Sequence, residues 1–514
     1  MSQITYRANL SAKAFPFISE NFGRSIIVPQ YDNNFNRQLT SPDDVDKDVG
    51  IPQLYYCHNV MPHPQGMQSV GYTPILSGGL AAINRIFTLR DSGDNKVYLI
   101  LDASGNTYVS SGGPWVFKGN YPQAANNLVT TAFVSGTTYI YIQNYGCIKY
   151  DFGTQAFIPG GNAGTLSFLG LVITGPGAII GICPSAGYLV AWNNTAVAWS
   201  STIDPTDFVP SLVTGAGGGS VEGAKGSITL CVPHLLGFIV YTAANAVASL
   251  FSGNTRFPFN FREIVASGGV SSADLIAYDA NSGNHYAYTT SGFQLISTSQ
   301  SQTAYPDLTD FIAGKLFEDF DEITNTFSTV VLTGTMLKRV AVVSDRYMCI
   351  SYGVNSFTHC IVYDLIEKRY GKLKIPHTVI FEYQIPSVAI TETPRQSIGI
   401  LKADGSISVV DFSVSLATSS GVAIFGKYQF VRPRVLQLDE IALENVRAGF
   451  TFSLTDMYTL DGKTYLYATP TLNLSSGLFR RYKCRIVGLN HSLLFKGAFE
   501  VCSLVLTFNP HGKR

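Results

Sequence analysis

The side chains that could do chemistry are few, and their spacing is wrong for the usual sites. Ser220 in Gly-Gly-Gly-Ser-Val-Glu-Gly stands where a nucleophile elbow would place its serine. Glu222, however, occupies the second glycine of Gly-x-Ser-x-Gly, the residue that lets the turn close tightly. His58 and His63 are five apart across Pro62, whereas a zinc-binding helix needs two histidines four apart on one face. Gly462-Lys463-Thr464 ends like a phosphate loop, but Met457 takes the place of its first glycine. Gly175–Gly181 has one residue too many between its last glycines for a dinucleotide fingerprint, and no βαβ pattern surrounds it. Two acidic clusters, Asp43, Asp44, Asp46 and Asp48, and Glu318, Asp319, Asp321 and Glu322, carry oxygens that calcium could use. Neither has the glycine and glutamate positions of a calcium loop, so solvated acids are the expectation. The sequence thus assigns no catalytic, cofactor-binding or metal-ligating residue, and implies no cofactor.

Eight cysteines (Cys57, Cys147, Cys183, Cys231, Cys349, Cys360, Cys484 and Cys502) are scattered without any Cys-x-x-Cys pair. Buried free thiols made in a reducing cytoplasm are expected, since neither a disulfide framework nor a zinc site has the spacing it needs. Basic residues gather late in the chain: Arg432 and Arg434, then Arg480, Arg481, Lys483 and Arg485. They could seat an acidic partner or passing DNA. Alternate positions of a half-exposed strand facing water account for them more simply.

These residues sit in a chain built for burial. It has 514 residues, 35 basic and 35 acidic, and only 14 % charged side chains, against about 25 % in an ordinary soluble protein. Zero net charge argues against a protein whose task is wrapping nucleic acid through phosphate contacts. The first residues lack the basic and apolar regions of a secretory signal, so none is expected. From Phe152 to Ile203, and again from Gly226 to Thr255, there is no Asp, Glu, Lys or Arg. A membrane helix needs about 20 continuous apolar residues, and Gly170, Gly175, Pro176, Gly177, Gly181, Pro184 and Gly187 interrupt the first stretch. Short buried strands are expected there, in a blade interior or a subunit interface, without stable membrane insertion.

The elements that must position these side chains are strands. KVYLILDASGNTYVS and SIGILKADGSISVVDF each read as two β-branched or aromatic runs around a glycine turn. In the second, Asp404-Gly405 suits a turn whose central residues need positive φ. TTYIYIQNYGCIKYDF, DLIAYDANSGNHYAYTT and RYMCISYGVNSFTHCIVYDL repeat the pattern. One helix is expected over residues 308–323, where Ile312, Leu316, Phe320 and Ile323 recur at helical steps. Aromatic-Asp strand ends at Tyr150-Asp151, Tyr278-Asp279 and Tyr363-Asp364, echoed by Asp411-Phe412, mark irregular units of about 40–50 residues. About seven such units fit between residues 76 and 415. A ring of four-stranded blades is the economical arrangement, because closure leaves only short edges. The expected architecture is therefore all-β: an extended N-terminal arm at 1–75, an irregular β-propeller at 76–415, and a sandwich-like antiparallel platform domain at 416–514.

One segment is more specific. Trp199-Ser200, Asp204-Pro205, Asp207-Phe208 and Pro210 precede a glycine-rich loop, two apolar strands, Phe257-Pro258-Phe259 and Glu263-Ile264. Tyr363-Asp364-Leu365 with Lys368 and Tyr370, Asn59-Val60 with Pro62 and Gly66, and the ending Pro510-His511-Gly512-Lys513-Arg514 accompany it in order. Together they resemble the tail nozzle or hub proteins of short-tailed bacteriophages, propellers of the tail tubular or head-completion type. Tyr370 departs from the tryptophan usual there. The resemblance implies a structural virion protein of the tail, assembled in the host cytoplasm as a homo-oligomeric, hexameric ring. Its partners would be portal and adaptor proteins and tail fibres or spikes. Double-stranded DNA would pass through the lumen without sequence-specific binding, held until ejection, and no catalysis is implied. The alternative is a propeller tail module that binds or degrades carbohydrate, for which Trp115, Trp192 and Trp199 are few aromatic platforms. A peptide-binding intracellular propeller fits least, because the repeat is irregular.

Overall fold

A computed structural model describes residues 4–9, 26–28, 54–63, 66–159, 164–171, 173, 179–303, 317–321, 326–330, 336–344, 346–366, 369–385, 395–412, 421–430, 436–445, 451–460, 463–468, 472–473 and 479–510. Its commonest unit is the hairpin that alternating residues around a tight turn dictate. Lys96–Asp102 pairs antiparallel with Asn106–Ser110, and Arg395–Leu401 with Ile407–Asp411. Gly405 lies at φ 80°, the left-handed conformation that the second turn requires. The other three expected hairpins also form.

Successive hairpins join into seven four-stranded antiparallel units, here called blades. Blades 1 to 5 span Ile83–Asn120, Val129–Ile158, Gly181–Ser220, Ile228–Glu263 and Ile276–Thr303. Blade 6 runs from Met336 to His377, and blade 7 holds Val379–Ile385, Arg395–Leu401 and Ile407–Asp411. The first strand of each blade touches that of the next, and the first strand of blade 7 returns to that of blade 1, closing the ring. The fold is an irregular seven-bladed β-propeller.

Closure also joins the ends of the ring in sequence. The outer strand of blade 7 is Gly71–Leu76, paired antiparallel with Ile407–Asp411, and Thr73 Oγ1 donates to Asp411 Oδ2 at 2.6 Å. The propeller thus begins at residue 71, inside the expected arm. Ring closure explains the uncharged stretches, because a blade is buried on both faces. In blade 3, Tyr188, Val190 and Trp192 face blade 4, while Leu189 and Ala191 face blade 2. In blade 1, Leu99 and Leu101 face blade 2, and Tyr98 faces blade 7, stacking on Tyr383 at 5.2 Å. Such strands read as unbroken apolar runs rather than alternation. Among the described residues, no helix is long and apolar enough to cross a membrane.

The helix expected over 308–323 is corrected. Phe317–Asp321 is a strand, paired with Thr326–Val330, and residues 304–316 lie outside those described. Thr, Phe and Val in the returning strand favour a hairpin, and cross-strand pairing overrides the helical spacing of the apolar residues. The α-helix among the described residues is instead Pro122–Asn126, with proline in its first turn.

Beyond the ring, strands between residues 421 and 510 form two sheets that also take in N-terminal strands, antiparallel throughout except for Ile26–Val28, which runs parallel to Gly421–Phe430. Gly421–Phe430, Asn490–Gly497, Thr451–Leu460 and Lys463–Ala468 lie side by side, with Ile26–Val28 and Leu54–His58 along Gly421–Phe430. Leu460 pairs with Lys463, so the expected Asp461-Gly462 turn falls in that connection. In the second sheet Ile4–Asn9 lines Glu500–Pro510, followed by Leu436–Asn445 and Phe479–Gly488. Much of the expected arm is therefore woven into the platform. The second sheet continues through Gly66–Ser69 and Val60–His63 to the outer strand of blade 6, Arg369–His377, making one ten-stranded sheet from the propeller axis to the platform edge.

Candidate functional site

Acids singled out in the sequence serve as turn caps and ion-pair partners. Asp151, Asp364 and Asp411 end the third strands of blades 2, 6 and 7, so those aromatic-Asp pairs are equivalent. Tyr278-Asp279 ends a first strand and is not in that register. Asp151 Oδ1 accepts from the Gly153 and Thr154 amides. Asp279 accepts from the Asn281 amide and the Ser282 hydroxyl, and Asp102 from the Ser104 and Asn106 amides. Asp364 is fully buried: Arg346 donates twice to its Oδ2, at 2.9 and 2.7 Å, and the Ile366 amide donates to Oδ1. The Trp-Ser…Asp-Pro…Asp-Phe segment is a knitted loop after the third strand of blade 3. Trp199 Nε1 donates to the Gly215 carbonyl, Asp204 caps Thr206, Asp207 caps Val209, and Phe208 is buried against Phe168.

Charged side chains of different blades do come near one another, from positions no linear motif connects. Arg85 of blade 1 donates to the Ala124 and Asn127 carbonyls between blades 1 and 2. Arg339 of blade 6 donates to the Thr378 carbonyl before blade 7 and pairs with Asp274 beside blade 5 at 2.9 Å. Burial pulls the Arg85 guanidinium downward, Asp274 opposes that effect, and Arg339 adds to it. The three groups form a charged collar in which Arg85 ties blade 1 to blade 2 and Arg339 ties blade 6 to its neighbours on either side. Nothing in the sequence marks this collar, because its members lie far apart in the chain. At the turn ends of blades 1 and 2, Arg90, Asp91, Lys149 and Asp151 line an open polar cleft of about 260 Å³. Both of its acids cap their own turns.

A second polar concentration lies where platform meets propeller. The Ser69 amide donates to the Phe499 carbonyl, the Phe499 amide donates to Ser69 Oγ, and Gln68 Nε2 donates to the Phe412 carbonyl. Asn59 Oδ1 accepts from the Tyr72 hydroxyl and the Lys374 amide. His58, Lys372 and Glu500 are buried at this joint. Burial on this scale demands polar partners, so the joint is geometrically specified.

The remaining expectations fall out as follows. Ser220 ends the outer strand of blade 3, His58 and His63 lie on separate strands, and Met457 and Lys463 lie on neighbouring ones. Asp43, Asp44, Asp46, Asp48, Glu322, Arg432 and Arg434 lie outside the described residues, while Glu318, Asp319 and Asp321 lie on the corrected strand. Cys57, Cys147, Cys183, Cys231, Cys349 and Cys360 are buried free thiols, and Cys484 is a half-buried one. Burial pushes the Cys147 thiol up to about 12, which makes it inert. Arg481, Lys483 and Arg485 are exposed with Tyr482 and Cys484 half-buried between them, the alternation that the sequence predicts. Among the described residues no group of three His, Cys, Asp or Glu side chains could hold a metal ion.

No family model matches the chain, and no curated protein matches it. Solved propellers do. The WD40 propeller domain of Doa1 aligns over 67 % of this chain and 98 % of its own, at 9 % identity and a TM-score of 0.38. BamB from Moraxella catarrhalis aligns over 70 % and 100 %, at 9 % identity and a TM-score of 0.33. The computationally designed Ika8 protein aligns over 66 % and 99 %, at 11 % identity and the same TM-score of 0.33. At such distance the propeller assignment stands on the seven sheets and their closure.

Proposed function

We propose that this chain is a structural virion protein, a tail nozzle or hub subunit whose copies form a ring extending the portal–adaptor DNA channel. The ring would retain the packaged genome and let it leave at ejection. The observation that carries the reading is the ten-stranded sheet: a self-closed propeller is tied by backbone hydrogen bonds to a platform woven from both ends of the chain. A wall that must bear load benefits from such continuity, since force passes through packed sheets rather than a flexible linker. Acids committed to turns and ion pairs suit a scaffold. Ile203, Leu212 and Val213 on the long loop of blade 3, with Leu235, Leu236 and Phe257 on the turns of blade 4, expose apolar surface for burial against neighbours. The motif order from Asn59 to Arg514 supplies the placement in a tail.

The test is mass measurement and negative-stain imaging of the purified protein, alone and mixed with a portal–adaptor assembly of a short-tailed phage. A closed ring that docks coaxially on the assembly is the expected result. A monomer at every concentration, with no affinity for the assembly, overturns the reading.

A further inference from the structure

The two sheets of the platform end in strands of opposite character. Lys463–Ala468 is the last strand of the first sheet, and among the described residues nothing pairs with its outer side. Behind Lys463 and Thr464, its successive residues Tyr465, Leu466 and Tyr467 are 39 %, 48 % and 44 % exposed, so large side chains reach solvent on both faces, with Tyr465 stacked on Tyr458 at 5.5 Å. Exposed edges are normally blunted by charge, proline or a bulge, and the described stretch Tyr465–Tyr467 has none of these. Phe479–Gly488 is the last strand of the second sheet, and its outer side is likewise unpaired among the described residues. It carries cations: Arg481, Lys483 and Arg485 are exposed at alternate positions, and Arg481 lies 3.8 Å from the Glu440 carboxylate on the neighbouring strand. Its register shifts by one residue opposite Leu438 and Glu440, where Arg485 takes a φ of 89°. The bulge and the cations blunt this edge against a second copy of itself, while Phe479–Lys483, ahead of the bulge, keeps a regular register that a strand without like charges can join.

We propose that Lys463–Ala468 of one copy adds as a strand to Phe479–Gly488 of the next copy, so that the chain assembles head to tail through its platform. Complementarity selects this pairing. Two copies of Phe479–Gly488 side by side would set like charges opposite one another, which is destabilising. Tyr465 and Tyr467 lie two residues apart, as do Arg481 and Lys483, so pairing the two kinds of edge places cations beside aromatic rings. The contact uses two different patches, and a heterologous contact whose rotation closes generates a ring. Strand addition also satisfies the outward backbone groups of both edges, which nothing among the described residues pairs. The inference deepens the ring reading above and rests on it for closure.

The test uses the full chain. Tyr465→Lys with Tyr467→Lys sets cations against cations at the contact. Adding Arg481→Glu and Lys483→Glu restores opposite signs, because each copy carries both edges. Circular dichroism melts check that each variant folds; the altered residues are exposed on the platform surface. Mass photometry across concentration should show wild-type assembly, at least ten-fold weaker assembly for the double lysine variant, and recovery in the four-fold variant. If wild type assembles and the lysine variant assembles equally well, this contact is wrong while the ring reading survives. Recovery failing in a folded four-fold variant overturns the pairing in favour of a symmetric tyrosine contact. A wild type that stays monomeric overturns both.

Discussion

The propeller and the platform are made of the same material, antiparallel strands with little charge, yet they treat their edges in opposite ways. Each blade hides both faces against its neighbours, and Gly71–Leu76 seals the ring. The outer edges left over in blades 1 to 5 are strands of three to five residues, too short to template much pairing. The first platform sheet packs Val422, Ile424, Met457 and Leu494 together, and among the described residues the platform ends in two unpaired edges of six and ten residues. Burial per residue explains the contrast. A closed ring satisfies itself, whereas a sheet with an unpaired edge gains stability when a further strand joins it. On the proposed reading, self-sufficiency and association fall to different parts of one chain.

The largest expected effect lies inside the ring. Trp192 is fully buried between blades 3 and 4, so Trp192→Ala should cost about 3–5 kcal/mol in denaturant unfolding. Trp192→Phe should cost far less, because the indole nitrogen has no hydrogen-bond partner among the described residues. Equal losses from both variants would mean that shape, not burial, holds the blades. Next comes the blade that carries the platform. Arg346→Ala strips a buried carboxylate, Asp364, of two hydrogen bonds, and about 3 kcal/mol should be lost. Hydrogen exchange should then rise in blade 6 and in Glu500–Pro510, which shares its sheet. A rise confined to blade 6 would show that the joint does not transmit strain.

How much of this could be read in the sequence follows from the range of the interactions involved. The hairpins at 96–110 and 395–411 were legible because period-two alternation and a glycine turn are local. The count of about seven units was legible for the same reason. Gly71–Leu76 sealing a blade that ends at residue 411 was not, since that pairing spans most of the chain. The weaving of Ile4–Asn9 and Leu54–His58 into the platform is equally non-local. The collar of Arg85, Asp274 and Arg339 escapes for that reason too: ring closure, rather than spacing, brings these residues together. The helix over 308–323 failed differently, because an apolar spacing compatible with a helix met a β-rich return strand.

A smaller effect comes from two buried histidines. His285 accepts from the Tyr241 hydroxyl and donates to the Pro233 carbonyl, tying blades 4 and 5 together. His377 donates to the Ile375 carbonyl and sits 2.8 Å from Ser351 Oγ. Burial lowers His285 to about 3 and His377 to about 4. Because the folded values lie below the unfolded one of about 6.5, the unfolded chain binds protons first as the pH falls. Stability is therefore complete above about pH 6.5 and declines as the pH drops towards 4, by up to about 1.4 kcal/mol per pH unit for each histidine. His285→Gln should flatten part of that slope in melts across pH. An unchanged slope would place the acid sensitivity elsewhere than at His285.

The smallest effect separates the two regions most sharply. Leu466→Ser alters a half-exposed side chain on the open platform edge, and in dilute protein it should change stability by no more than about 0.5 kcal/mol. Leu494→Ala, in the small platform core, should cost about 2–5 kcal/mol at any concentration. Raising the protein concentration should stabilise the wild type by mass action and leave Leu466→Ser behind, because only the former gains a neighbour on that edge. The propeller variants should show no such concentration dependence of their own beyond what the wild type shows. A Leu466→Ser protein already strongly destabilised when dilute would mean that the edge is part of the folded chain's own core, and the contrast between a closed ring and an open platform would fail.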